Sequence, residues 1–187
     1  MGREKERKFL VRDDSWKKYT FTSPDLIRQF YISYEDDICI RVRMVNEASE
    51  TRTPHAYITI KNNASEEDRD EFEWEIPVAD ACILSKFAKS RILQKLRYII
   101  PTGQAGYWEV DEYIGEDAGL VIAEHEYKKS SYFSGQLSIR DKSLEFEIPY
   151  WIGKEVTGDP KYYNANIAKY KTSFVNRLWK RISRLMS

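Results

Sequence analysis

Cysteine is nearly missing from this chain of 187 residues. Cys39 and Cys82 are its only two, and neither stands in a CxxC pair or near a histidine at metal-ligand spacing. That leaves out a disulfide scaffold and a structural zinc site, and reduced thiols fit a cytoplasmic protein. A net charge of one sign is absent too: thirty Lys and Arg balance thirty Asp and Glu. No overall field then draws in nucleic acid or an anionic membrane, and neither is expected as a partner. No run approaches the roughly 20 apolar residues of a membrane-spanning helix. The opening MGREKERKFLV carries charges where a secretory leader needs an apolar stretch. Histidine is limited to His55 and His125, neither with a ligand-spaced partner. Repeats, linkers and low-complexity segments are likewise missing.

What is present is charge, at 32%, interleaved with hydrophobic residues at 42%. Aromatic and β-branched residues alternate with charged ones in many short segments, the period of half-buried strands. Strands are expected at 4–12, 28–33, 38–45, 56–62, 69–76, 93–100, 107–113 and 120–127, with a weaker one near 143–148. Turn-forming clusters separate them, among them Ser23-Pro24-Asp25 and the stretches 46–53, 62–68, 101–106 and 115–119. Strands at this spacing predict a mainly β, α+β fold, a barrel or sandwich. Two or three helices interrupt the pattern. The first, 78–90, follows Pro77 with Asp80 as N-cap and an apolar stripe of Ile83, Leu84, Phe87 and Ala88. The second covers 164–169. The third, 173–186, is amphipathic and its surroundings are basic, with Lys169, Lys171, Arg177, Lys180, Arg181 and Arg184. Packing on the outside of the sheet with a solvated basic face is the expected role of that helix, ahead of a membrane or partner surface. A single domain over 1–170 is expected, with 171–187 as part of it or a short extension.

Residues two apart on a strand project to the same side, so i,i+2 spacing gathers charge in space. Such pairs are common in any chain this charged, and their number decides nothing. Their sign is more telling. Arg41/Arg43 and Lys95/Arg97 are purely basic, while Glu109/Asp111 and Glu124/Glu126 are purely acidic. Like charges side by side destabilise a sheet unless a counter-ion or ligand lies between them. Carboxylate pairs suit Mg²⁺ or Mn²⁺, and basic pairs suit phosphates. Both sets facing one interior would make a cavity for a metal and a polyphosphate. The plainer alternative is a solvated strand face, with Arg41 and Arg43 paired to acidic neighbours across the sheet.

The segment Glu4-Lys5-Glu6-Arg7-Lys8 resembles the ExExK signature of the CYTH superfamily, the triphosphate tunnel metalloenzymes. The resemblance continues in order through Ile27–Tyr31 (IRQFY), Ile40-Arg41-Val42-Arg43, Ile58–Lys61 (ITIK), 69–77, Lys95-Leu96-Arg97-Tyr98, Trp108–Asp111 (WEVD), 119–126 and the stretches 151–159 and 163–168. It covers about residues 3 to 170. It implies an eight-stranded antiparallel β-barrel tunnel with covering helices and a C-terminal plug helix. It further implies that Lys8, Arg41, Arg43, Lys61, Lys95 and Arg97 bind phosphates, with Tyr31 at the tunnel mouth. Glu4, Glu6, Glu73, Glu109, Asp111, Glu124 and Glu126 would hold Mg²⁺ or Mn²⁺, and Glu4, Glu6, Lys8, Glu124 and Glu126 would carry the catalysis. Two features depart from the family pattern: residues 128–147 are longer than the usual link, and the basic tail after Lys171 matches no motif.

The activity the resemblance implies is metal-dependent hydrolysis of the terminal phosphoryl group of tripolyphosphate or a related small-molecule triphosphate, with ATP a further candidate. Adenylyl cyclisation of the class IV type and nucleoside or thiamine triphosphate hydrolysis are the near alternatives. A non-enzymatic polyphosphate-binding module is a third reading, but it would have no use for the acidic pairs. A homodimer is left open.

Overall fold

Alternation of apolar and polar residues produces nine strands in the computed structural model, which describes residues 6–20, 22–34, 38–47, 53–62, 71–101, 106–127 and 148–169. They are β1 Glu6–Val11, β2 Asp25–Ser33, β3 Ile38–Glu47, β4 His55–Asn62, β5 Glu71–Ile76, β6 Leu93–Pro101, β7 Gly106–Tyr113, β8 Val121–Tyr127 and β9 Ile152–Glu155. One sheet contains them all in the order β5-β4-β3-β2-β6-β7-β8-β1-β9. Every neighbouring pair is antiparallel. Two meanders, β2–β5 and β6–β8, are joined by the pairing of β2 with β6, and β1 returns to lie against β8.

The expected eight strands become nine. The added strand, Ile-Gly-Lys-Glu, is too short and too irregular to show a period of two, and it exists because β1 has a free edge. The chain is anchored there by Arg12 N to Trp151 O at 2.9 Å and Val156 N to Lys8 O at 2.8 Å. Glycine is required within it, since a Cβ on Gly153 would lie 2.9 Å from the backbone oxygen of Leu10. Among the described residues, β5 and β9 are the sheet's edges, and no backbone pairing joins them.

One face of the sheet is apolar and is covered from outside. Phe9, Trp108, Val110 and Ala123 pack there with Trp16 and Trp151, while Phe30, Val42 and Ala56 pack with Ala81. Trp16 belongs to a 3-10 turn, Asp14–Tyr19, begun by Asp13, whose carboxylate accepts from Ser15 N at 2.8 Å.

The first helix differs from its expectation. α1 spans Val78–Leu84 and tightens into a 3-10 turn at Ser85–Phe87, with Pro77 in the N-cap position and Asp80 in the first turn. Its buried side is Val78, Ala81, Leu84 and Ala88. Ile83 and Phe87 of the expected stripe stand 53% and 63% exposed. The tightened turn shifts the phase, and the small Ala81 lets the backbone approach the sheet closely. α2, Asn164–Lys169, matches its expected range. The weak strand near 143–148 lies, but for Ile148, outside the described residues, and so does the helix at 173–186. Among the described residues no helix is long and apolar enough to cross a membrane.

Candidate functional site

Residues directly opposed in antiparallel strands share a face. On that rule the register assembles the charged residues on the side opposite the apolar core. Lys8 stands opposite Glu124, and Glu124 opposite Glu109. Asp111 stands opposite Arg97, and Lys95 opposite Ile27. Across the other meander, Gln29 opposes Arg43, Tyr31 opposes Arg41, Arg41 opposes Thr59 and Thr59 opposes Glu73. Lys61 opposes Glu71. The sheet curls toward this side. Tyr31 on β2 lies in the electrostatic field of Glu124 on β8 and Lys8 on β1, which a flat sheet would hold three and four strand spacings away, about 14 and 19 Å. It packs in one cluster with Leu93, Tyr113 and Ile122. The same cluster takes in Ile167 and Ala168, so α2 packs against one end of the charged face.

Burial is what separates this face from a solvated one. Lys95 is 1% exposed and Asp111 0%, and Glu109 and Glu124 are also buried. Charges so far from water must be compensated in place. Arg97 does most of this. Its Nε and Nη2 each donate to Asp111 at 2.7 Å, Nη2 reaches Glu124 at 3.3 Å, and Nη1 pairs with Glu109. Lys95 pairs with the same Asp111, and Lys8 Nζ pairs with Glu124 at 2.5 Å. Burial alone would favour the neutral acids. Even so, the adjacent Arg97 and Lys95 hold the Asp111 carboxyl far below the usual range, and Lys8 chiefly lowers that of Glu124.

A second constellation lies on β3, β4 and β5. Glu73 accepts from Arg41 Nη2 at 3.2 Å and from Arg43 Nη2 at 3.1 Å. Thr59, fully buried, bridges them: its hydroxyl accepts from Arg41 at 3.0 Å and donates to Glu73 at 2.7 Å. Despite partial burial, those contacts lower the Glu73 carboxyl. The buried Nε atoms of Arg41 and Arg43 make no hydrogen bond among the described residues. Lys61 Nζ pairs with Glu71 at 2.7 Å.

Of the expected site residues, Lys8, Tyr31, Arg41, Arg43, Lys61, Glu73, Lys95, Arg97, Glu109, Asp111 and Glu124 are thus brought to one face. Glu4 lies outside the described residues. Glu6 and Glu126 face one another in the backbone register, and their side chains lie outside the described set. Tyr31 is buried beside α2 rather than at an open rim. Gln29 and Thr59 were not singled out from sequence, although alternation through Ile27, Gln29 and Tyr31 and through Tyr57, Thr59 and Lys61 carries the signal for both. Among the described residues no three acidic, imidazole or thiol groups are grouped closely enough for a ready-made metal site. The donor chemistry nonetheless suits a hard divalent cation, because Glu109, Asp111 and Glu124 all converge on the guanidinium of Arg97.

The chain is 39% identical to the inorganic triphosphatase of Acetivibrio thermocellus over 170 residues, which are 90% of this chain and 95% of that relative. The chain belongs to the CYTH superfamily of triphosphate tunnel metalloenzymes. The inorganic triphosphatase of Nitrosomonas europaea is 29% identical over 171 residues, 88% of this chain and 96% of the relative. The crystal structure of the inorganic triphosphatase NE1496 superposes with a TM-score of 0.59 at 26% identity, covering 91% of this chain and 97% of that one. No family model matches the chain. CYTH membership accords with the ordered motifs, of which the basic pair Arg41/Arg43 and the acidic pair Glu109/Asp111 lie on one curled face.

Proposed function

We propose that this CYTH protein is a triphosphate hydrolase that cleaves the terminal phosphoryl group of tripolyphosphate or a related small triphosphate, dependent on Mg²⁺ or Mn²⁺, within a tunnel formed by the curled sheet. The observation that carries it is the gathering of buried cations and buried carboxylates on one face, supported by the two triphosphatase relatives. A triphosphate bears several negative charges and enters a desolvated site only where fixed cations replace its water. Arg41 and Arg43 are held at Nη2 by Glu73, which leaves their Nε edges to donate to nonbridging oxygens. Lys8, Lys61, Lys95 and Arg97 add charge along the same face, and in this reading Arg97 and Lys95 offset negative charge as it moves onto the leaving pyrophosphate.

Glu109, Asp111 and Glu124, with Glu4, Glu6 and Glu126, would hold the divalent ion. When bound, the ion supplies charge neutralisation and Lewis acidity at the phosphates. Binding substrate draws the cations onto phosphate oxygens and so releases carboxylates that the same cations otherwise occupy. Water then attacks the terminal phosphorus, the bridging P–O bond breaks, and orthophosphate and pyrophosphate leave. The test is incubation with tripolyphosphate, ATP and thiamine triphosphate, each with and without Mg²⁺ or Mn²⁺, measuring phosphate, pyrophosphate and cyclic AMP. Metal-dependent phosphate release from tripolyphosphate is expected. Absence of turnover on all three would remove the hydrolase reading, and cyclic AMP from ATP would replace it with cyclisation.

A further inference from the structure

The outer face of β3, β4 and β5 is apolar, and α1 covers only part of it. Val42, Ala56 and Ile76 pack with Ala81 of α1, and Ile58 lies at the margin of that cluster. Alternation carries the same face on to Ile38 and Ile40 of β3, Ile60 of β4, and Phe72 and Trp74 of β5. The register aligns them in rows: Ile40 opposes Ile60, which opposes Phe72, and Ile58 opposes Trp74. This half stays open among the described residues. Ile38 is exposed, Phe72 is 45% and Trp74 52% exposed, and the two rings stack at 5.9 Å. The patch runs out onto β5, a sheet edge among the described residues, and natural sheets cover such edges with a helix or loop. Contiguous exposed apolar surface of this kind marks a docking face.

The chain leaves the described residues beside this face. Lys169, where they end, has its ammonium 4.5 Å from the centre of the Tyr34 ring. Tyr34 follows Ser33, which opposes Ile40. From Lys169, the five residues to Phe174 can reach about 17 Å. A helix over 173–186 is about 21 Å long, while β5 lies only about 10 Å from β3. On such a helix Phe174, Leu178, Ile182 and Leu185 fall within about 80° of one another, and Arg177, Lys180, Arg181 and Arg184 gather on a different side. The charges agree as well. Residues 170–187 contain no acid, whereas the connection 63–70, which starts from Asn62 opposite Ile38, has Glu66, Glu67, Asp68 and Asp70 against Arg69 alone. A 14-residue helix is marginal by itself in water and needs a surface to pack on. We propose that residues 173–186 dock as an amphipathic helix on the open outer face of β3, β4 and β5, with their apolar stripe over Ile40, Ile60, Phe72 and Trp74. The docked helix covers the exposed rings at the sheet edge and braces from behind the strands that carry Arg41, Arg43, Lys61 and Glu73. This is independent of the hydrolase reading.

The experiment is amide hydrogen exchange on the full chain, comparing wild type with Phe72→Glu, joined to photo-crosslinking of a chain carrying Ile182→p-benzoylphenylalanine. In wild type the amides of 178–186 are expected to exchange at least about tenfold more slowly than in an unstructured peptide, at a rate independent of protein concentration. Phe72→Glu places a charge under the stripe and is expected to remove most of that protection while β2 and β6 exchange as before. Irradiation is expected to join residue 182 to β3, β4 or β5 within one molecule. Unprotected amides in wild type overturn the proposal, and so does protection that survives Phe72→Glu in a folded protein. Crosslinks to other parts of the chain overturn it too, and they decide the matter alone if Phe72→Glu does not fold. Crosslinks between copies, with protection that rises with concentration, would give the face to a second copy instead. Protection that arises only with phosphatidylserine vesicles would give the stripe to a membrane surface.

Discussion

Lys8 and Glu124 are directly opposed on β1 and β8, and their side chains form an ion pair of 2.5 Å inside the buried charged face. A buried pair contributes little over an apolar replacement, yet removing one member strands the other. Glu124 keeps Arg97 at 3.3 Å, so Lys8→Met is expected to destabilise the fold by about 3 kcal/mol, the low end for a broken buried pair. The double variant Lys8→Met/Glu124→Leu should recover much of that loss while remaining inactive. Urea unfolding of the three proteins checks it, and a single variant as stable as wild type would contradict the pairing.

Glu73 was expected among metal ligands, but its carboxylate is engaged by Arg41, Arg43 and Thr59. Glu73→Gln is expected to raise KM for tripolyphosphate about three- to tenfold, as the guanidinium groups lose a charged anchor worth about 1.5–3 kcal/mol at most. The Mg²⁺ concentration for half-maximal rate should stay within about twofold. A large rise in that concentration with KM unchanged would return Glu73 to the metal set.

Arg91 ties α2 to the sheet. Its guanidinium makes two bonds of 2.5 Å to Asp117, itself buried, and donates to Ile167 O at 2.8 Å, while Tyr113 donates to Asn164 at 2.5 Å. Arg91→Ala strands the Asp117 carboxylate and is expected to cost about 3–5 kcal/mol, with Asp117→Asn milder. Hydrogen exchange of the amides of α2 should accelerate in Arg91→Ala more than that of β3 and β4. Uniform acceleration would show that Arg91 supports the whole sheet instead.

Glu155 on β9 accepts from Arg7 on β1 at 2.9 and 2.6 Å and from Thr157 at 2.9 Å, which lowers its carboxyl below 4.5. A depressed folded-state value gives stability that is complete above about pH 4.5 and is lost as pH falls through the folded value. Both side chains are more than a third exposed, so the contribution is below about 1 kcal/mol and is screened by salt. The difference in melting temperature between wild type and Glu155→Gln should shrink from about pH 6 to about pH 3 and in about 1 M salt. A difference constant over both ranges would mean the pair is energetically silent.

Much of this arrangement is legible in single segments. Lys95-Leu96-Arg97 and Glu109-Val110-Asp111 announce by alternation that each pair shares a side of its strand, and the ordered motifs announce the family. Other features have no local trace. Nothing in Glu71–Ile76 says whether Glu73 meets a metal or two arginines, because its neighbours are chosen by register with β4. Likewise, Ile83 and Phe87 have the spacing of a buried stripe and are exposed, since the sheet's apolar face selects Val78, Ala81, Leu84 and Ala88.

The sequence by itself determined which residues sit together on one side of each strand and the sign of the charge there, because side-chain direction in an extended chain alternates by local stereochemistry. Only the tertiary structure decided which of those sides became an interior, that Arg97 meets three carboxylates from β7 and β8, and that Tyr31 is buried next to Gln29 beside α2. Those outcomes depend on strand order, register and curl, which are set by pairings between segments far apart in the chain.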